Sequence, residues 1–294
     1  MPAVFVLIWA TGFIVAKFGL PYAPPLTFLS IRYALSILCF LVWCCVSRAS
    51  WPTSAAQWQH LAVTGLLMHA GYLGGVWIAV KAGMGSGLAA LIVGLQPVLT
   101  ALWMSSVGAT VGANRPGGVA PARVTPRQWL GLLLGLGGLL LVVARKFGAG
   151  IEVTALTLVA EVVALLSITA GTLYQKRFVQ SGDVRSANAI QLVAALVVTL
   201  PFALFEHESI VWTTHFVGAM AWAVLALTLG GSSLLYLLIQ RGAATAVTSL
   251  MYLVPPTTAV MAWALFGESI TLTTIAGTAL TALGVSLVVR QAKR

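Results

Sequence analysis

Of the 294 residues, 60% are apolar and only 7% carry charge, whereas an ordinary soluble enzyme is nearer half apolar and a quarter charged. That composition excludes a water-soluble globular domain and assigns the chain to a lipid bilayer. The net charge of +10 is not a nucleic-acid signature here, because basic residues in a membrane protein first report topology.

A membrane-crossing helix takes about 20 mostly apolar residues. Polar, proline-rich and glycine-rich breaks divide the chain into ten such stretches, about 2 to 19, 26 to 46, 58 to 80, 85 to 106, 127 to 144, 154 to 175, 186 to 205, 216 to 239, 244 to 266 and 272 to 289. Period-two alternation is absent, so the stretches read as spanning helices and not as barrel strands. The first lacks preceding positive charge and a small-x-small cleavage site, and reads as a retained helix instead of a signal peptide. Cys39, Cys44 and Cys45 share the second stretch without a CxxC spacing or a nearby histidine; they read as small packing residues.

Ten crossings sort the loops into two sets. One set carries eleven basic residues: Arg48, Arg115, Arg123, Arg127, Lys176, Arg177, Arg185, Arg241, Arg290, Lys293 and Arg294. The other carries five, Lys17, Arg32, Lys81, Arg145 and Lys146, together with Glu152, Glu206, Glu208 and Glu268. The positive-inside rule places both termini in the cytoplasm.

Shifted by 159 residues, the first four stretches align with stretches six to nine: Gly12 meets Gly171, Lys17 meets Lys176, Gly71 meets Gly230, Gly83 meets Gly242 and Pro97 meets Pro256. Beyond the fourth stretch the shift falls to 146, pairing Thr125 with Thr271, Gly131 with Gly277 and Gly138 with Gly284, and the difference is a glycine-rich insertion from Gly108 to Pro121. Five is odd, so the second copy enters the membrane from the opposite side. The expected fold is an all-α membrane protein of ten transmembrane helices, two inverted five-helix repeats (residues 1–146 and 147–294) around a central cavity. Inverted halves that rock about a midplane site are the geometric basis of alternating access.

Trp9, Gly12, Phe13, Lys17, Pro25 and Arg32, with Pro256, Phe266-Gly267-Glu268, Thr271, Gly277 and Gly284 in the second half, resemble the EamA-type repeat of the drug/metabolite transporter superfamily. The resemblance covers nearly the whole chain. It implies two five-helix bundles around a central cavity, metabolite export as the commonest role, and residence in a bacterial cytoplasmic (inner) membrane. The chain departs from the pattern at two points: the long insertion replaces the Gly-Glu step in the first copy, and Gln191 stands opposite Arg32.

Proline inside a helix removes one backbone hydrogen bond and kinks the axis. Pro97 would free the Val93 carbonyl, and Pro255 with Pro256 those of Met251 and Tyr252, so these three are candidate gating breaks that line the path; packing kinks are the alternative. Polar groups within spans are costly unless they face a partner or cavity. Trp9, Thr11, His69, Tyr72, Gln96, Ser232, Tyr236, Ser249 and Tyr252 are candidate substrate-binding residues, against the simpler reading of interhelical hydrogen bonds. Glu161, well inside a span, is a candidate proton site, or else a carboxylate near enough to its helix start to reach interfacial water. Lys17 and Arg32 lie near the outer helix ends, where they could snorkel, close the outer mouth or pair with a substrate carboxylate. Trp51, Trp58, Trp129 and Trp212 sit at span ends as interface anchors.

An aromatic, hydroxyl-bearing cavity without dense charge suits a neutral, partly apolar solute, and export of aromatic or other neutral amino acids leads. The alternative is a multidrug or cation exporter coupled to protons through Glu161. An intramembrane enzyme is disfavoured: His60, His69, His207 and His215 fall in no metal-ligand spacing and no GxSxG occurs. The expected partners are a small-molecule substrate and the lipid bilayer, with no nucleic acid, cofactor or metal. A monomer is compatible with the sequence.

Overall fold

A computed structural model of the chain describes residues 2–96, 98–100, 103, 126–146, 153–180, 182–240 and 253–290. Among the described residues the regular structure is entirely helical. The helices are α1 (Pro2–Gly19), α2 (Pro25–Ser47), α3 (Ala55–Lys81), α4 (Ser86–Val93), α5 (Pro126–Lys146), α6 (Ala155–Phe178), α7 (Val184–Ala203), α8 (Thr214–Leu238), α9 (Val254–Phe266) and α10 (Leu272–Arg290). Five of them, α2, α3, α6, α7 and α8, are long and apolar enough to cross a membrane, and the others carry shorter apolar stretches such as Val4–Gly19, Trp129–Val142 and Leu272–Gly284.

Local chemistry sets the boundaries. Pro25 opens α2 at a position where its missing N–H costs nothing, and the Glu206 carboxylate accepts from the next two backbone N–H groups, Leu26 (3.0 Å) and Thr27 (2.7 Å). Thr154 and Thr157 form a reciprocal cap at α6, Asp183 caps α7, and Thr213 accepts from Phe216 N at α8. Gly267, at φ +65°, closes α9 in the left-handed region that glycine enters without a Cβ penalty.

Each of the two long rods α3 and α8 widens in its middle into a π-turn, Leu66–Gly71 and Ala223–Ser232. The extra residue per turn rotates the following side chains and loosens the backbone ladder, and such segments recur at functional sites. The Tyr33 hydroxyl donates to the His69 carbonyl (2.8 Å), satisfying an acceptor in the first of these turns.

Glycines bring the rods together. A Cβ at Gly75 on α3 would lie 2.4 Å from the Ala160 carbonyl of α6, and one at Gly138 on α5 would lie 2.4 Å from the Gly277 carbonyl of α10. Between apolar helices in lipid, small residues permit the close approach on which van der Waals association depends. Bulky apolar side chains such as Leu38, Val46, Leu133, Leu140 and Val197 point outward, as a lipid-facing surface requires. Trp51, Trp58, Trp129 and Trp212 are also exposed.

Lys17, Lys81, Glu206, Glu208 and Glu268 gather at one end of the bundle. Lys17 pairs with Glu268, Lys81 pairs with Glu208 and donates to the Leu20 carbonyl, and Glu268 also accepts from Ser86 N (3.1 Å) at the start of α4. Free Cys39, Cys44 and Cys45 all lie on α2.

Candidate functional site

Both π-turns contribute to the wall of one cavity between the helices, the first through Met68 and His69 and the second through Leu227 and Ser232. Its walls are Trp9, Gly12 and Phe13 of α1, Arg32 of α2, six residues of α3 from Met68 to Trp77, Gln175 of α6, Asn188 and Gln191 of α7, and Leu227, Ser232, Leu235 and Tyr236 of α8. The Trp9 and Tyr72 rings are parallel within 4°, with centroids 6.4 Å apart. The result is an aromatic and aliphatic chamber with amides, a hydroxyl, an imidazole and one guanidinium converging on it, the usual make-up of a small-molecule site.

Five of the nine expected substrate residues come together here: Trp9, His69, Tyr72, Ser232 and Tyr236. Thr11 does not. Its hydroxyl donates to the Ile8 carbonyl (2.6 Å) and accepts from the exposed Trp222 indole (2.9 Å), on another face of α1. Gln96 is buried but outside the cavity wall, donating to the Thr172 hydroxyl (3.0 Å). Ser249 and Tyr252 lie outside the described residues, as does Pro97.

Pro255 and Pro256 lie on α9. They occupy its first described turn, and the Met251 and Tyr252 carbonyls that they were expected to free lie outside the described residues. The break on the facing helix sits at Gly94, where α4 ends, and a Cβ on Gly94 would lie 2.7 Å from the Pro255 ring. The two helix ends therefore meet.

Arg32 corrects an expectation. It does not snorkel: it is 4% exposed, its Nε donates to the Thr228 hydroxyl (2.9 Å), and it forms part of the cavity wall. The chamber consequently holds one buried cation in its wall. Lys17 is engaged with Glu268 at the closed end and is not part of the cavity. Glu161 is 0% exposed, too deep for interfacial water, and neither carboxylate oxygen has a hydrogen-bond partner among the described residues. It stands behind the cavity wall and does not line it.

Sequence reading missed Gln175, Asn188, Gln191 and Trp77. A signal existed for two of them: in the 159-residue register Trp77 matches Tyr236 and Gln191 matches Arg32. Asn188 and Gln191 are also three apart and so share a face of α7.

A second, more polar cavity lies between the Ser50–Gln57 segment and the Gln180–Ala187 segment, and Tyr236 lines both chambers. It opens at the end of the bundle opposite the Lys17–Glu268 pair.

A multi-pass membrane protein with a central chamber between packed helices is the class that the fold and site define. The family model of the EamA-like transporter family matches residues 3–114 and 155–290, and the chain belongs to that family. It is a transporter of a small-molecule substrate and not an enzyme. Among relatives, it is 26% identical over 297 residues to the uncharacterized transporter YvbV of Bacillus subtilis, covering 99% of this chain and 91% of that protein. It is 22% identical over 290 residues to an uncharacterized transporter of Archaeoglobus fulgidus, covering 97% and 94%. A protein of Salmonella typhimurium named "Probable amino-acid metabolite efflux pump" is 26% identical over 199 residues, which is 68% of this chain and 60% of that one. One solved crystal structure shares the fold with a TM-score of 0.70 at 16% identity, covering 100% of this chain and 97% of the other.

Proposed function

We propose that this transporter exports small neutral amino acids, aromatic ones among them, from the cytoplasm by alternating access between two inverted five-helix halves, residues 1–146 and 147–294. One observation carries the reading: residues 159 apart face the same chamber. Met68 and Leu227, Leu73 and Ser232, Val76 and Leu235, Trp77 and Tyr236, and Arg32 and Gln191 are all wall residues. The same contact also occurs twice, Gly12 against Leu227 and Gly171 against Met68. Arg32 bonds Thr228, and both π-turns fall in equivalent positions. A chamber with the same residue positions on both sides is what two halves exchanging conformations about a midplane need.

The charge pairs Lys17–Glu268 and Lys81–Glu208 tie the first half to the second at one end, while the polar cavity reaches toward the chamber from the other. With the basic loops cytoplasmic, this is a conformation closed to the outside, in a cytoplasmic membrane, with both termini inside. The name of the Salmonella relative favours amino acids among metabolites. The test is flux: purified protein in liposomes loaded with labelled threonine, methionine or phenylalanine gives saturable, protein-dependent efflux, and its absence for all three sinks the amino-acid reading.

Proton-coupled export of cations is the second reading, and the unpartnered Glu161 favours it. A buried, uncompensated carboxylate within a membrane is costly, and such groups mark proton relays and ion pathways. Under this reading Glu161→Gln abolishes the response of flux to an imposed pH gradient while leaving flux without a gradient intact. Equal transport by both proteins in both conditions retires Glu161 as a proton site.

A further inference from the structure

The chamber is rich in donors and poor in charged acceptors. Arg32 is buried in its wall, and Thr228 takes only its Nε–H. The amide nitrogens of Gln175 and Gln191, two more wall residues, are buried without an acceptor among the described residues. No carboxylate among the described residues lines the space: Asp183 is held by Arg185, Glu206 by the start of α2, Glu208 by Lys81 and Glu268 by Lys17, and Glu161 lies outside the wall. A buried cation without a counter-charge is costly, and a guanidinium presents a planar fork that matches the two oxygens of a carboxylate.

Building on the amino-acid exporter reading, we infer that the chamber recognises its substrate through a carboxylate held by Arg32, and that the α-amino group is not a recognition element. The apolar body of the substrate lies along Trp9 and Tyr72. An ammonium finds only neutral oxygens here and shares the chamber with a like charge, so it adds little to binding. The class of ligand is the amphipathic monocarboxylate, amino acids and their N-acylated or deaminated counterparts alike.

Thermal stabilisation of the purified, full-length protein reads this without transport. The probes are phenylalanine, N-acetyl-phenylalanine and phenylalaninamide, which carry both groups, the carboxylate alone and the amine alone. The two carboxylates are expected to bind within about threefold of each other. The amide is expected to bind about ten- to a hundredfold more weakly, the loss that follows from leaving a charged hydrogen-bonding group unpaired. Arg32→Gln should remove that preference, and Arg32→Lys should restore only part of it, because charge returns without the fork.

Equal binding of the amide and the carboxylates by the unmodified protein overturns the inference, and so does failure of both carboxylates to bind. A folded Arg32→Gln protein that still prefers carboxylates overturns it too. Saturable amino-acid flux alongside equal binding of all three probes would refute the carboxylate anchor alone. Carboxylate-selective binding without amino-acid flux would refute the exporter reading alone.

Discussion

Arg32 shows how a single side chain changes meaning with its surroundings. Eight residues into α2, it reads along the chain as a cation near a helix end, yet the neighbouring helices leave it 4% exposed against Thr228. Asp183 carries the residue-scale prediction. It accepts from Arg185 N (2.9 Å) as the cap of α7 and pairs with the Arg185 guanidinium, and that hydrogen-bonded partner holds its carboxyl below the usual aspartate range. A depressed carboxyl stabilises the fold fully above the unfolded value of about 3.9 and stops doing so as pH falls through the lower folded value. Asp183→Ala is therefore expected to cost about 1 kcal/mol near neutral pH, a gap in thermal unfolding that narrows only in strong acid. Asp183→Asn, which still caps, should lose less. A gap that stays the same at every pH would exclude the ion pair as its source.

At the scale of the element, apolar runs and their order were legible in the chain, because a helix in lipid needs little more than length and hydrophobicity. Where helices break was less so. Proline chemistry pointed to one place, since α4 ends at Val93, the residue whose carbonyl Pro97 was expected to free, and Gly94 there lies against Pro255. The π-turns of α3 and α8 carry no proline and no composition signal. Glycine lets α5 and α10 approach closely. Gly138 and Gly277 touch through their backbones, as do Gly284 and Gly131. Gly138→Val is expected to push the helices apart and lower stability by more than the roughly 1–3 kcal/mol of ordinary overpacking, because backbone cannot rotate aside. Unfolding in detergent measures it, and Gly137→Val, with open space around its Cβ, is the control that should cost little.

For the molecule as a whole, the proposed inverted halves predict that both chain ends lie on the cytoplasmic face. Single cysteines added at the two ends of a chain whose Cys39, Cys44 and Cys45 are replaced by alanine should both resist a membrane-impermeant thiol reagent in intact cells and react after lysis. Opposite labelling of the two ends would rule out the even number of crossings. Composition and the spacing of apolar runs determined that this chain lives in a bilayer as a helical protein, since solvation by lipid acts on each segment separately. Which polar side chains meet was decided only by the tertiary structure. Trp9, His69, Tyr72, Ser232 and Tyr236 converge while Thr11 turns to Trp222 and Gln96 to Thr172, because a rotation of less than half a turn about a helix axis moves a side chain from chamber to neighbour, and packing against other helices sets that rotation.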